Sequence, residues 1–142
     1  MTPILDQLTE AIARERSTSF RGCFRLARAL VDTYGEDRLA DRLFDEIPHT
    51  VSWEIVADLL GILIWTTKDN GAGITHSADD WLRAASDERK VHIALYLETF
   101  PFVDAEEMIL VFSIVKDKFP NLKPRCDELI RERAKLQGDP VP

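Results

Sequence analysis

Three histidines, two cysteines and several carboxylate pairs are the side chains through which this chain could do chemistry. No two of His49, His76 and His92 have the i, i+4 spacing that sets paired metal ligands on one helical face. Asp79 with Asp80 and Glu106 with Glu107 are adjacent pairs in expected first helical turns, where carboxylates complement the helix dipole. Acid–base work would need such pairs in a concavity with shifted pKa values. A site assembled from Asp79, Asp80 and His76 is the arrangement that would provide it. Cys23 falls on an apolar stripe, the setting of an inert thiol.

The stretch "LLGILIWTTKDNGAGITHSADDW" at residues 59–81 holds the remaining candidates. Read as a calcium loop, Gly71 at the sixth position puts Thr66 and Lys68 where the first and third oxygen ligands belong. Read as a dinucleotide fingerprint, "GAG" at residues 71–73 meets His76 where the third glycine is needed, and no strand precedes it. The Gly-Lys-Ser/Thr triplet of a P-loop is absent from the sequence. The expectation is a protein without catalytic residues, metal or cofactor.

The elements that must position these residues all carry the helical period. Thr2 and Pro3 start a first helix with Ile4, Leu5, Leu8 and Ile12 inward. Phe20, Cys23, Phe24, Ala27, Leu30 and Val31 form the stripe of a second, stopped at Gly35. A third covers Glu36 to Ile47 and ends at Pro48. The fourth starts near Ser52 and is apolar nearly all round up to Trp65, which places it at the centre of the domain. After a loop of about ten residues, long among short connections, Ser77 is expected to cap a short helix ending near Ala85. Ser86 or Asp87 starts another, bounded by Pro101. Asp104 and Glu107 are spaced as a capping-box variant ahead of Met108, Ile109, Val111, Phe112, Val115 and Phe119. Pro124 opens the last helix, with Cys126, Leu129, Ile130 and Leu136 inward.

About eight helices joined by short loops predict an all-α fold of antiparallel helical hairpins. "ALVDTYGEDRLADRLFDEI" and "SIVKDKFPNLKPRCDELI" share the order apolar helix, aromatic, breaker, charged helix, at an offset of 84 residues. That is near twice a HEAT-type period of about 40 residues, so an irregular HEAT-like repeat stack is preferred to a closed bundle. A single all-helical domain over residues 1–137 is expected, with 138–142 a loose tail.

A chain of 142 residues, 45% hydrophobic and 30% charged, reads as globular and needs neither disulfide nor metal to supplement its core. Cys23 and Cys126 are expected as separate buried thiols, with a bridge between them the alternative. Asp6 and Glu10 near the start do not fit a secretory signal. The apolar run Leu59 to Trp65 is far short of the roughly 20 residues that cross a bilayer. A cytoplasmic, non-membrane protein is expected. Its net charge of −7 is uneven. Residues 1–44 hold seven acidic and seven basic side chains, residues 45–107 thirteen and four, and residues 108–142 five and seven. An acidic middle argues against nucleic acid as the ligand and suits a basic protein partner.

The segments "SWEIVADLLGILIWTTKDNG" and "DDWLRAASDERKVHIALYLETFPF" carry a resemblance, through Trp53, Leu59, Leu63, Trp65, Asp69, Asn70, Gly71, Trp81, Leu82 and Phe100–Pro101–Phe102. In these residues the chain resembles the small helical-repeat immunity proteins encoded beside bacterial polymorphic or contact-dependent growth-inhibition toxins. The resemblance implies an antidote that binds one cognate toxin domain tightly and blocks its active site or substrate access. Because many such domains are basic nucleases, the acidic surface would meet them. The expected partner-binding residues are Trp65, Lys68, Asp69, Asn70, Asp79, Asp80, Trp81, Asp87, Glu88, Glu106 and Glu107, with the chain a monomer or weak homodimer. Trp65 and Trp81 also read simply as core anchors. The rival from another class is a helical adaptor that binds an endogenous protein or peptide along a groove.

Overall fold

Apolar residues three and four apart recur along the chain, and in the computed structural model that spacing resolves into helices. The structure describes residues 1–16, 20–97 and 99–138. Among them it is all-α, with eight helices and no strand: α1 (Pro3–Glu15), α2 (Cys23–Tyr34), α3 (Leu39–Glu46), α4 (Trp53–Ile64), α5 (Ala72–Ala84), α6 (Glu88–Leu95), α7 (Ala105–Lys118) and α8 (Lys123–Leu136). A 3-10 turn, Pro120–Leu122, links α7 to α8. The chain divides into two compact units, Met1–Ser77 and Ala78–Pro142, and α5 crosses the boundary. Beyond Gly138 the expected tail lies outside the described residues.

In the first unit α4 packs against both α1 and α2. Seven of its twelve residues are buried, including Val56, Leu59, Leu60, Leu63 and Ile64, as a helix apolar on most sides requires. Thr2 occupies the N-cap position of α1, but its hydroxyl does not cap the helix. It bonds Tyr34 instead, and Tyr34 donates to Glu46 at 2.7 Å. Since the Tyr34 proton is committed to that carboxylate, the Thr2 hydroxyl is the donor to the phenol oxygen. The same bond brings the start of α1 to the end of α2, an antiparallel pair. Gly35 ends α2 at φ 73°, its N–H returning to the Val31 carbonyl. Phe24, expected inward, is 40% exposed. α3 starts at Leu39 rather than Glu36, after Arg38 in the left-handed region.

In the second unit α7 and α8 form an antiparallel hairpin. Lys116 near the end of α7 bonds Asp127 near the start of α8 at 3.0 Å. Arg133 near the end of α8 reaches Met108 and the segment just before α7. Asp104 caps α7 through the N–H of Glu106, but Glu107 does not complete the expected capping box, because its carboxylate binds Arg83. Only Met108, Phe112 and Val115 of α7 are buried. Ile109 is exposed, and so is Leu136 of α8. α6 stops at Leu95, short of Phe100, where Arg125 Nε donates to the Leu95 carbonyl at 2.9 Å. A guanidinium on a terminal carbonyl satisfies a group that the helix leaves orphaned.

Candidate functional site

The turn that follows α4 is shorter and more ordered than a free loop. α5 begins at Ala72, so Ser77 sits inside a helix and does not cap one; its hydroxyl donates to Asp41 at 3.2 Å. The capping role falls to Asp69. Its carboxylate accepts from the N–H groups of Gly71 at 3.0 Å and Gly73 at 2.9 Å. Burial alone would raise the Asp69 pKa. Hydrogen bonds from Gly73, Thr67, Gly71 and Ala72 outweigh it and hold the carboxyl below its ordinary value.

Asn70 and Gly71 both take positive φ, 57° and 82°, and make the exit turn. Only glycine fits the second position, since a Cβ there would lie 2.5 Å from Ile64 Cγ2 and 3.0 Å from its Cα. The buried Thr67 hydroxyl accepts from the Gly71 N–H at 2.9 Å. The N–H of Lys68 donates to the Glu36 carboxylate. On this fixed turn Trp65 stands 73% exposed. Thr66 and Lys68, which follow it in the chain, line an open concavity of about 600 Å³ with Arg28, Val31, Asp32 and Glu36. A second concavity of about 450 Å³ adjoins it along α2, sharing Arg28 and Asp32 and adding Phe24 and Arg25.

The expected residues of the second unit have a different organisation. Trp81 is 5% exposed and belongs to the core, with Lys90 Nζ 5.7 Å from its ring centre, so it offers no large aromatic face to a partner. Asp79 accepts from the Phe102 N–H at 3.1 Å. Asp80 and Glu107 share Arg83, each at 2.9 Å, and that guanidinium also lies 4.9 Å from the Phe102 ring centre. Asp87 caps α6 through Lys90 N–H, and Glu88 accepts from Asn121 at 2.8 Å. Glu106 is exposed. Asp69, Asp79 and Asp87 thus direct carboxylate oxygens at backbone N–H groups, and Asp80 and Glu107 at an arginine.

Two residues organise this unit that spacing did not single out, Arg83 and Arg133. Arg133 is 9% exposed and donates to the carbonyls of Pro101, Phe102 and Val103 at 2.8, 2.9 and 2.7 Å. It holds the Phe102 backbone at φ 63°, a region costly for a bulky side chain. A lone arginine within the apolar spacing of α8 was the available signal.

The thiols are withdrawn from chemistry at neutral pH. Burial, and then its hydrogen bond to Glu15, push Cys23 up to about 12; burial pushes Cys126 up to about 11. Both are free thiols. His49 packs near Phe44 and His92 near Tyr96, at ring-centre distances of 6.0 and 5.4 Å. Among the described residues no three of His, Cys, Asp and Glu converge as a metal-ligand set, and no helix is long and apolar enough to cross a membrane. No protein-family model, curated protein or solved structure matches the chain.

Proposed function

We propose that this chain is a cytoplasmic, non-enzymatic antidote that neutralises a basic, nuclease-type toxin domain by tight protein–protein binding. The observation that carries the reading is Trp65. A large aromatic is left 73% exposed on a turn fixed by Asp69, Thr67 and the Asn70–Gly71 pair. An exposed tryptophan on an ordered turn is the kind of side chain that dominates binding energy when a partner covers it. Lys68 of the same turn lines an open concavity with Glu36. The net charge of −7 supports attraction to a basic partner.

The test is co-expression with the toxin domain of the neighbouring reading frame. Growth rescue, a salt-sensitive co-purified complex, and loss of both with Trp65→Ala are the expected results. Full rescue by the Trp65→Ala chain would remove that residue from the interface, and absence of any toxic neighbour would end the antidote reading. A second reading, an adaptor for an endogenous peptide, is favoured by the two adjoining concavities along α2. It predicts binding that depends on Arg28 and Asp32 and protects no cell from a toxin.

A further inference from the structure

α7 is apolar on both sides. Met108, Phe112 and Val115 are buried, while Ile109, Leu110 and Ile114 are 49%, 69% and 53% exposed. Val103, just ahead of the helix, is fully exposed. Scattered exposed aliphatics are ordinary, but here they gather on one helix face. Helical spacing puts Glu106, Leu110, Ser113 and Asp117 in one row, with Ile109 and Ile114 flanking it. The base beneath is rigid, since Asp104 caps α7 and Arg133 with Asp79 fixes the Phe102 backbone.

The charges at the ends of this row select its occupant. Glu106 and Asp117 are exposed at opposite ends. The two cations of α7 itself are engaged within the chain: Lys116 binds Asp127, and Lys118 donates to the Ala85 carbonyl. A second copy is therefore disfavoured. Antiparallel α7 helices would set Glu106 against Asp117, and parallel ones would set each carboxylate against its own counterpart. An anionic membrane surface would meet the same repulsion.

We propose that the outward face of α7 docks an amphipathic helix of another protein, with an apolar centre and basic residues at both ends. Glu106 and Asp117 are eleven positions apart, about 16 Å of helix, so the partner's basic residues should be separated by three turns. Packing of Leu110 and Ile114 between the partner's apolar side chains would give the contact, and the two carboxylates would fix its register. This surface belongs to the second unit and the Trp65 turn to the first, and the proposal does not require that the partner be a toxin.

The full chain is titrated with a synthetic helical peptide carrying a leucine-rich centre and lysines eleven positions apart. A twin peptide carries glutamates at those ends. The basic peptide is expected to bind with a Kd of about 10–100 µM, shifting the amide signals of α7. Its affinity should fall at least about tenfold with Leu110→Glu, and again with Glu106→Lys/Asp117→Lys, while the glutamate twin should bind at least about tenfold more weakly. The double substitution leaves the apolar centre intact, so it decides the matter even if Leu110→Glu alters folding. Equal binding of both peptides, indifference to the double substitution, or no binding up to about 1 mM would overturn the proposal. So would a dimer in sedimentation that Leu110→Glu dissociates.

Discussion

Gly71 is the residue at which replacement of one hydrogen does most. Gly71→Ala must place a Cβ against Ile64 while keeping φ at 82°, and a loss of about 1–3 kcal/mol in urea unfolding is expected. Asp69, two residues earlier, makes a pH-dependent contribution whose sign is set by its lowered carboxyl. The folded state keeps this group ionised to lower pH than the unfolded chain does. Its stabilisation is therefore complete above the ordinary value of 3.8 and lost as pH falls through the lower native value. The stability gap between wild type and Asp69→Asn should be constant from neutral pH to about 5, then narrow on further acidification. A gap that widens toward acid would show that the carboxylate does not act as this cap. Asn70–Gly71 is readable in the sequence as an exit turn, whereas the capping role of Asp69 is not. Ser77 is the stronger signal on paper, but the helix starts five residues earlier, at Ala72, because Asp69 takes the N–H groups of Gly71 in the exit turn and of Gly73 in the first helical turn.

Helix α7 shows what periodicity reveals and what it hides. "MILVFSIV" is apolar at too many positions to define one face. The stripe through Met108, Phe112 and Val115 is buried as spacing predicts, while Ile109 and Leu110 face outward because their neighbours in space cannot be read from one helix. Phe112→Ala is expected to cost about 3–5 kcal/mol, and Leu110→Glu to change stability by no more than about 0.5 kcal/mol. Chemical denaturation of the two variants separates core from surface on this one element. The ends of α6 were legible only in part. Asp87 is visible as a cap, but the stop at Leu95 depends on Arg125, thirty residues away, which no local pattern encodes.

For the whole molecule, the charge blocks of the sequence do not coincide with the two units. The acidic stretch 45–107 is cut by the boundary at Ser77, and the two units carry nearly equal charge. Residues 1–77 hold twelve acidic and eight basic side chains, net −4; residues 78–142 hold thirteen and ten, net −3. The net charge of −7 would steer a basic partner toward the chain. The association rate should fall at least about tenfold between low and physiological salt, with dissociation changed far less; stopped-flow mixing with the partner measures both. A salt-independent rate would leave the interface to apolar contacts alone. The same fold also keeps a chemical clock. Asn-Gly is the dipeptide most prone to deamidation, which requires the glycine nitrogen to attack the asparagine side chain. Here the Gly71 N–H is held by Thr67 and Asp69, and the turn around it is fixed. Asn70 should survive storage while the first unit stays folded and convert to isoaspartate during unfolded time. Peptide mapping of an aged sample would then report how long the protein had been out of its native state.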